Sequence, residues 1–539
     1  METDVIVVGS GAAGLSSAVA AVVGGAEVMV LESAAVFGGT SCFSGGGMWV
    51  PNNRFMKEAG IPDSRDEAIA YIRSVVTHAG LDELIESFVD NCNPMIDFFE
   101  KHTDIRFQKA LGHPDYRMEL PGSREHGRCV QQPLFDTNRL GDHRHLLRRS
   151  WSFNATTPDE TYQLHLTGRL HFDLPHLMQQ RQEAGLVGNG MALVGYLLEA
   201  CLERGVSCHV NARVLELTTV DGRVTGVVVD LDGVRTTVAA RRGVVLACGG
   251  FEWNPDLVDR FLGVPMVAPA SPGDNRGDGL VMAMKAGASL ANMTEAWWNM
   301  LYQVPGDEYE GRQLARPTSD VRGKPGMIIV NRQGRRFVNE SLNYHDLGKA
   351  MRVFDPGRYE YVNAPAYIVF DAKFRATYRF HDVGPDDPDP AWVSTSDTLA
   401  GLAGQLGIDA AGLEAQVEEF NRHAARGEDP VFGRGATAYD RHMGDALLDG
   451  PEMNLRPLEA GPYYAITAQL GCFGTKGGPM TDASARVLGH DGRPIPGLFA
   501  AGNVAAHVFG DAYPGGGSTL GPALTFGYLA GVALTADRA

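Results

Sequence analysis

The chain has 539 residues, of which 44% are apolar and 21% are charged. This composition is typical of a soluble globular protein, and the length predicts two or three domains rather than one simple core. The formal net charge of −18 argues against a nucleic-acid partner. Seven cysteines without a CxxC pair favour a reducing compartment over a disulfide framework.

No apolar run approaches the length that a membrane-spanning helix needs. The first strand-like residues begin at Asp4, with no basic leader before them. We therefore expect a cytoplasmic protein. Composition leaves peripheral contact with a membrane open.

The chain opens with the pattern of a dinucleotide site. Residues 5–8 (VIVV) are an apolar run typical of a buried parallel strand, and Gly9–Gly14 (GSGAAG) follows at once. A helix is predicted over residues 15–23 and a second strand over 26–31, with Glu32 at its end. The glycines let a pyrophosphate approach the helix N-terminus, and Glu32 can accept hydrogen bonds from ribose hydroxyls. The alternative is a glycine-rich turn that binds no nucleotide.

A second glycine-rich loop, Gly38–Gly47 (GGTSCFSGGG), favours FAD over NAD. FAD is the longer ligand and needs more than one close-packed polar loop. Residues 497–503 supply a third such element, a short predicted strand that leads into a Gly-Asn turn at Gly502.

Further elements follow along the chain. Helices are predicted over 65–76, 82–101 and 191–204, and strands over 205–217, 224–231 and 244–247, the last returning to the nucleotide sheet. In and just after the charged stretch 122–169, four of the histidines show no metal-ligand spacing, so we interpret these as surface or loop residues and expect no metal. They are His143, His145, His165 and His171.

From about Met293 the composition shifts toward aromatics, Arg and Pro. A helix capped by Asp409 is predicted to run to about Arg426. We interpret 293–461 as an α+β catalytic domain inserted into a Rossmann-like FAD-binding domain made of 1–292 and 462–539. The predicted fold class is α/β, or α+β overall.

The C-terminal run Tyr513–Tyr528 places a phenol and three consecutive glycines before a predicted helix. Free backbone amides at a helix N-terminus, beside a phenol, suit an oxygen that gains negative charge during a reaction. The alternative is a glycine-rich turn that caps a terminal helix.

Four segments together resemble the flavoprotein family of fumarate reductases and 3-ketosteroid dehydrogenases. They are Thr40–Trp49, Gly277–Leu280, Gly334–Glu340 and Gly502–Asn503. The resemblance covers both ends and the middle of the chain and is weakest between about residues 130 and 185.

The family contains two opposed chemistries. Fumarate reductases bind a dicarboxylate with arginines, one of which closes an Asn-Glu-x-x-x-Arg segment. Here Asn339–Tyr344 (NESLNY) puts Tyr344 in that place, and the loop 512–522 contains no Arg or Lys. A dicarboxylate therefore has no obvious partner in either loop.

Tyrosines suit a neutral ketone better, and the chain resembles 3-ketosteroid Δ1-dehydrogenases in Tyr513–Gly517, Asn339–Tyr344 and Pro114–Tyr116. The resemblance implies that Tyr513 and the Gly517 N–H hold the C3 carbonyl oxygen. Tyr344 would remove a proton from C2 and Tyr116 would relay it, while the hydride from C1 passes to flavin N5. A phenol titrates near pH 10, so Tyr344 needs a lowered pKa or a relay partner.

The expected substrate is a steroid ketone, and electrons are expected to pass to an external acceptor such as a quinone. Another cyclic ketone, a fumarate-reductase-like enoate reduction and a non-catalytic flavin-binding role are the alternatives. Trp297 and Trp298 either line the pocket or pack in the core. The residues expected to bind the cofactor are Gly9, Gly11, Ala12, Ala13, Gly14, Glu32, Ser33, Gly39, Thr40, Ser44, Gly45, Gly46, Val214, Gly249, Asp278, Gly502, Asn503, Ser518, Thr519 and Leu520.

Overall fold

Two large β-sheets organise the chain in a computed structural model that describes residues 1–110, 112–151, 155–161 and 174–536. The first sheet carries the nucleotide motif. Its strands, in spatial order, are Arg486–Leu488, Pro494–Ala500, Val234–Leu246, Glu2–Val8, Val28–Leu31 and Ser207–His209. Antiparallel strands Ala212–Val220 and Arg223–Leu231 extend from Val234–Leu246.

Strand Glu2–Val8 lies at the centre of this sheet and pairs in parallel with Val28–Leu31 and with Val234–Leu246. Val8 is opposite Leu31 on one side and Leu246 on the other. Parallel strands covered on both faces need continuous apolar runs, and residues 5–8 and 244–246 accordingly consist only of Val, Ile and Leu. The predicted return of the chain to the nucleotide sheet is confirmed, as is the α/β class.

The second sheet is mostly antiparallel and contains the long strand Tyr463–Thr475. Its strands, in spatial order, are Arg316–Pro317, Ala296–Tyr302, Tyr463–Thr475, Ala366–Phe370 and Met327–Val330, with Ala268–Pro269 and Ser394–Ser396 also paired to the long strand. The domain division at 292 and 461 stays a prediction. Because strand Tyr463–Thr475 pairs with strands of the second sheet, a boundary after Thr475 would suit the structure better than the predicted one at 461.

The α-helices of five or more residues are Ala12–Val23, Arg54–Glu58, Arg65–Val75, Asp82–His102, Leu174–Glu183, Asn189–Glu203, Asp278–Lys285, Tyr344–Met351, Leu399–Leu406, Ala410–Ala424, Ala438–His442 and Leu520–Ala533. The predicted strand over 205–217 is two strands, because Asn211 adopts a left-handed conformation with φ 50° between them. Asp409 is the N-cap of Ala410–Ala424, although its side chain makes no capping hydrogen bond.

Two helices that start at opposite ends of the sequence cross closely. Gly527, in Leu520–Ala533, packs so tightly on Ala12–Val23 that a Cβ there would collide with the Ala13 carbonyl. The hydroxyl of Ser16 donates to the Leu524 carbonyl at 2.7 Å. Small residues therefore allow the crossing, and both N-termini reach one cavity.

Of the four histidines interpreted as surface or loop residues, His143 and His145 lie in the 3₁₀ segment Thr137–Leu146, half-buried and exposed respectively. His165 and His171 lie outside the described residues. Within the described ranges, no helix combines the length and apolar character required to cross a bilayer.

Candidate active site

One cavity of about 960 Å³ brings together almost all of the residues predicted from the sequence. Its wall includes Gly9, Gly11, Ala12, Ala13, Glu32, Ser33, Gly39, Thr40, Ser44, Gly45, Gly46, Tyr116, Val214, Gly249, Asp278, Tyr344, Gly502, Asn503, Tyr513, Gly517, Thr519 and Leu520. This volume is at the upper end for a single small-molecule site, as expected for a cofactor and a substrate together.

Gly14 and Ser518 do not line the cavity and instead shape the backbone behind its wall. A Cβ at Gly14 would collide with the Gly9 carbonyl, so Gly14 lets the first helix start close to the first strand. The Ser518 hydroxyl donates to the Gly515 carbonyl at 2.7 Å and accepts from the Gly515 N–H at 3.0 Å. Each residue thus supports the site through the turn that it closes.

The nucleotide end of the cavity is built largely from backbone. Gly9 has φ 102°, and a Cβ there would lie 2.5 Å from the Ala247 carbonyl oxygen. Glu32 is buried, and its carboxylate accepts from the Ser10 N–H at 3.0 Å and the Ala34 N–H at 3.0 Å. These bonds fix the acid at the end of its strand, on the cavity wall.

The residues present fit FAD. Two helix N-termini, at Ala12 and Leu520, open on the same cavity and offer positive dipole ends to anionic or carbonyl oxygens of a ligand. Gly46 has φ 73° and packs so closely on the backbone at Asn189 that a Cβ would collide there, whereas a Cβ at neighbouring Gly45, on the cavity wall, meets nothing within 4 Å, which leaves room for a ligand. Thr40 accepts a hydrogen bond from the Asn275 side chain at 2.8 Å, which ties the second glycine loop to the far wall.

The loop that ends at Gly517 has a conformation that requires glycine. Gly517 has φ 94°, and a Cβ there would lie 2.5 Å from the backbone nitrogen of Trp49. The Gly517 carbonyl accepts from that Trp49 N–H at 3.0 Å. Its own N–H makes no hydrogen bond within the described part of the chain, so this amide is available to a ligand oxygen in the cavity.

Tyr116 reaches the same loop because its own segment pairs with it. Asp115 and Gly515 form an antiparallel β-bridge, and the Tyr116 N–H donates to the Pro514 carbonyl at 2.9 Å. The Tyr71 hydroxyl also donates to that carbonyl, at 2.7 Å. The backbone therefore holds Tyr116 against Tyr513.

A buried ion pair supports this pairing from behind. The Arg128 guanidinium lies between Asp63 and Asp115, 2.7 Å from an oxygen of each, and all three side chains are at most 2% exposed. Trp49 Nε1 donates to the other Asp115 oxygen at 2.8 Å. Burial raises the pKa of Asp115 and Arg128 opposes the rise. Removing one partner would leave a buried charge unpaired, so each member of this arrangement is costly to replace.

Tyr344 is the first residue of helix Tyr344–Met351, whose N-cap Asn343 accepts from the Asp346 N–H at 3.0 Å. The next residue, His345, ties this helix to strand Ala296–Tyr302 and to the loop at Asp511. Its Nδ1 accepts from the Trp298 N–H at 3.2 Å, and its Nε2 contacts the Asp511 carbonyl at 2.9 Å. The N-cap at Asn343 therefore fixes the start of the helix at Tyr344, and His345 fixes that start relative to the loop that carries Tyr513.

The three predicted tyrosines form one cluster. The ring centroids are 5.2 Å apart for Tyr344 and Tyr513, 5.1 Å for Tyr116 and Tyr513, and 5.8 Å for Tyr116 and Tyr344. The Tyr344 ring packs edge-on against both other phenols, which lie close enough to influence its pKa. Trp297 packs edge-on against Tyr513 with centroids 4.8 Å apart, and its Nε1 donates to the Asn503 side chain at 3.0 Å.

Burial raises the pKa of Tyr116 and of Tyr344 well above the ordinary phenol value of 10.0, and raises the pKa of Tyr513 to about 12. A base role for Tyr344 required either a lowered pKa or a relay partner. The structure places the phenol of Tyr116 against Tyr344 and does not lower the pKa of Tyr344, because burial disfavours the charged phenolate. The relay role of Tyr116 stays a prediction.

Sequence reasoning missed most of the substrate end of the wall. These residues include Tyr302, Arg316, Arg322, Lys324, Arg379, Tyr439, Met443 and Phe473. Most come from the predicted insert, where no motif marks them, and only the fold brings them to the cavity. Trp297 lines the wall, whereas Trp298 packs in the core of the second sheet. The sequence argument found no Arg or Lys in the two loops that it considered. The rest of the cavity wall does contain such cations, among them Arg316 and Arg379.

Comparison with known proteins places these features in a family. The profile of the FAD binding domain family matches residues 4–520. The chain is 40% identical to 4-oxocyclohexanecarboxylate 2-dehydrogenase of Sinomonas cyclohexanicum, over 99% of this chain and 93% of that one. It is 36% identical to 3-oxosteroid 1-dehydrogenase of Mycobacterium tuberculosis, over 100% and 99% of the two chains.

A solved structure, 3-ketosteroid delta1-dehydrogenase from Sterolibacterium denitrificans in complex with 1,4-androstadiene-3,17-dione, matches with a TM-score of 0.90 and 36% identity over 100% of both chains. The resemblance inferred from motifs is confirmed, as are FAD as the cofactor and oxidation of a CH–CH group as the enzyme class. The chain belongs to the FAD binding domain family, among the flavoprotein dehydrogenases that include the 3-oxosteroid 1-dehydrogenases.

Proposed function

We propose that this enzyme desaturates a cyclic ketone next to its carbonyl, with 1,2-desaturation of a 3-ketosteroid as the leading reaction. The observation that supports this most directly is the meeting of Tyr116, Tyr344 and Tyr513 beside the free Gly517 N–H in the cofactor cavity. Neutral donors suit a ketone oxygen, and the two loops that carry arginines in fumarate reductases carry none here.

In this mechanism the ketone oxygen accepts hydrogen bonds from the Tyr513 hydroxyl and the Gly517 N–H. Burial keeps Tyr513 protonated, with a pKa of about 12, so it remains a donor at neutral pH. Each such donor stabilises an oxygen that gains negative charge by about 3 kcal/mol. The ketone's α C–H bond is thereby acidified.

Tyr344 removes the proton from C2, and its own hydroxyl proton passes toward Tyr116, whose ring packs edge-on against it. Bound FAD supplies a hydride acceptor for C1. Electrons then leave to an external acceptor, for which we propose a quinone. Peripheral contact with a membrane would bring the enzyme to such a lipid-soluble acceptor.

The test is product analysis. The FAD-loaded protein is incubated with 4-androstene-3,17-dione and a soluble quinone, and the product is examined by mass spectrometry and NMR. The proposal predicts a steroid that has lost two hydrogens and gained a C1–C2 double bond. Absence of any desaturated product from this steroid and from simple cyclic ketones would refute it.

A second substrate class, a single-ring ketone with a carboxylate, is favoured by Arg379. This half-buried side chain lines the cavity, and its Nε has no hydrogen-bond partner in the part of the chain that the structure describes. Within the described residues its guanidinium makes one weak bond, to the Asp382 carbonyl at 3.4 Å. A guanidinium without a carboxylate partner suits an anionic substituent, and one relative acts on 4-oxocyclohexanecarboxylate.

The two substrate classes separate in one experiment. The ratio of kcat/KM for 4-oxocyclohexanecarboxylate to that for the steroid is measured in the wild type and in Arg379→Gln. If the carboxylate is the substrate, the variant lowers this ratio at least about tenfold, mainly through KM. The wild-type ratio shows which substrate is preferred, and an unchanged ratio in the variant excludes Arg379 from recognition of the carboxylate.

A further inference from the structure

A β-hairpin reaches from the second sheet to the nucleotide end of the cavity. It leaves the sheet after strand Ala296–Tyr302, and its two strands, Glu308–Tyr309 and Arg312–Gln313, pair antiparallel. At its base the Asp307 carboxylate accepts from Arg316 Nε at 2.5 Å and from Arg316 Nη2 at 2.7 Å. This pair ties the two ends of the hairpin to each other.

The turn of the hairpin holds a glutamate in a backbone conformation that other residues adopt more easily. Glu310 has φ 50° and Gly311 has φ 71°, as in a type I′ turn. Asn, Asp and Gly are favoured at the first of these positions, because a left-handed backbone is uncommon for a longer side chain. A costly conformation at such a residue points to a role for its side chain.

The Glu310 carboxylate pairs with a buried guanidinium on the other side of the cavity wall. Arg148 Nη1 donates to both Glu310 oxygens, at 2.8 and 2.9 Å, and its Nη2 donates to Asp274 at 2.6 Å. The Arg148 side chain is 1% exposed, whereas that of Glu310 is 43% exposed. Because Asp274 also pairs with Arg148, loss of Glu310 would not leave a buried charge without a partner.

Two more side chains of the hairpin contact the loops around the nucleotide end. The Tyr309 hydroxyl donates to the Arg149 carbonyl at 2.6 Å. Its ring packs edge-on against Phe43, in the second glycine-rich loop, with centroids 5.0 Å apart. The Arg312 guanidinium packs directly on Gly273, where a Cβ would lie 0.9 Å from its Nη1. Three side chains of one hairpin therefore hold it against these loops.

The hairpin covers the cavity from outside. Its partners Phe43, Arg148 and Asp274 line the cavity, and the Arg148 N–H donates to the Phe37 carbonyl at 2.9 Å, directly before the second glycine-rich loop. Residues 308–313, all of which the structure describes, are not themselves on the cavity wall. The hairpin thus holds wall residues in place without contacting a ligand in the cavity.

We propose that this hairpin is a clasp that closes the nucleotide end over bound FAD, and that the Glu310–Arg148 pair sets how fast FAD leaves. FAD bound by the glycine-rich loops lies on the inner side of Phe43 and Arg148. Its release requires the hairpin to separate from both residues. Weaker hairpin contacts should therefore speed both entry and exit of FAD and leave its affinity almost unchanged. The proposal does not depend on which ketone is oxidised.

The experiment measures the exchange of FAD. Protein loaded with isotopically labelled FAD is mixed with excess unlabelled FAD, and the label that stays on the protein is followed over time after rapid gel filtration. Glu310→Asn removes the carboxylate and places a residue that suits the left-handed turn. We expect exchange at least about tenfold faster than in the wild type, because a bidentate charge-assisted pair is lost.

Glu308→Asn is the matched control. It removes the same charge from the same hairpin, at an exposed side chain that makes no hydrogen bond or ion pair within the described ranges, and should exchange FAD at the wild-type rate. Tyr309→Phe keeps the ring on Phe43 and loses one hydrogen bond. It should speed exchange about threefold.

Two measurements separate closure from affinity. The dissociation constant is obtained from the FAD that the loaded protein retains on serial dilution. In Glu310→Asn it should stay within about twofold of the wild type, because the hairpin contacts do not include the ligand. Higher ionic strength should speed exchange more in the wild type than in Glu310→Asn, because salt weakens a half-exposed ion pair.

An exchange rate in Glu310→Asn equal to that of the wild type and of Glu308→Asn would overturn the clasp. Faster exchange with a proportional rise in the dissociation constant would also overturn it, because Glu310 would then contribute to affinity rather than to closure. If Glu310→Asn does not fold, the other two tests decide. Exchange that is independent of salt in the wild type and unchanged in Tyr309→Phe contradicts the proposal.

Discussion

The nucleotide end of the cavity is walled mainly by backbone, whereas the ketone end is walled by aromatic side chains from distant segments. Gly9, Gly46 and the N-terminus at Ala12 lie on or beside one continuous βαβ unit and its next loop. By contrast, Tyr116, Tyr344, Tyr439 and Tyr513 come from four separate segments and meet only in the fold. The nucleotide end needs glycines at positions where a Cβ would collide, whereas the ketone end needs the hydroxyl groups of its tyrosines.

This difference predicts that the two ends fail separately. A change at the ketone end should stop turnover and leave the cofactor bound. A substitution at the nucleotide end should lower the FAD content of the protein and leave the catalytic rate per bound FAD unchanged.

The largest effect is expected from Tyr344→Phe. The variant keeps the ring packed on Tyr513 and Phe473 but cannot accept the α-proton, so flavin reduction should slow at least about a hundredfold. Stopped-flow absorbance of the flavin measures this, with bound FAD per chain determined on the same sample. Near-normal reduction would remove Tyr344 from the mechanism.

At the nucleotide end, Gly14→Ala should reduce bound FAD at least about tenfold, because the new Cβ collides with the Gly9 carbonyl and displaces the first turn of the helix. The flavin content of purified protein is the readout. The control is Gly404→Ala, where the position is exposed in a helix and a Cβ meets nothing within 4 Å. Full flavin content in Gly14→Ala would contradict the packing account.

The phenol cluster also predicts the pH dependence of the chemistry. Burial raises the pKa of Tyr344 well above 10.0, so its basic form grows as pH rises toward that value. The rate of flavin reduction should therefore climb from pH 7 to pH 9 by up to about tenfold per unit. Tyr513 stays protonated over this range, since its pKa is about 12. A rate that falls across this range would exclude a phenol base.

Sequence reasoning predicted most of the cavity wall at the backbone end and only part of it at the side-chain end. The glycine spacing and the apolar run before it predict a fixed local geometry, which the strands at Glu2–Val8 and Val28–Leu31 confirm. The positions of Tyr116, Tyr344 and Tyr513 came from resemblance. Tyr439 and Arg322 carry no local signature, because only the packing of distant segments brings them to the cavity wall.

The smallest effect concerns a buried lysine just behind Tyr513. Lys476 Nζ donates to the Ala512 carbonyl at 2.6 Å, and burial lowers its pKa from 10.5 to about 7. Between pH 7 and pH 10.5, Lys476 is protonated in the unfolded chain but largely neutral in the folded protein. The free energy of unfolding should therefore rise with pH in this range, by at most about 1.4 kcal/mol per pH unit.

Denaturant unfolding at pH 7, 8 and 9 measures this slope. Lys476→Met should flatten it, whereas Lys285→Met, at an exposed helix position, should leave it unchanged. Equal slopes in wild type and Lys476→Met would show that this lysine is charged in the folded protein.

The central claim is that a neutral phenol cluster, rather than a carboxylate clamp, receives the substrate's reacting end. Anaerobic mixing of the oxidised, FAD-loaded protein with 4-androstene-3,17-dione, and separately with 4-oxocyclohexanecarboxylate, tests it most directly. The account predicts that at least one ketone bleaches the visible flavin band in the wild type and does so at least about a hundredfold more slowly in Tyr344→Phe. Flavin that neither ketone bleaches, but that fumarate reoxidises once chemically reduced, would contradict it.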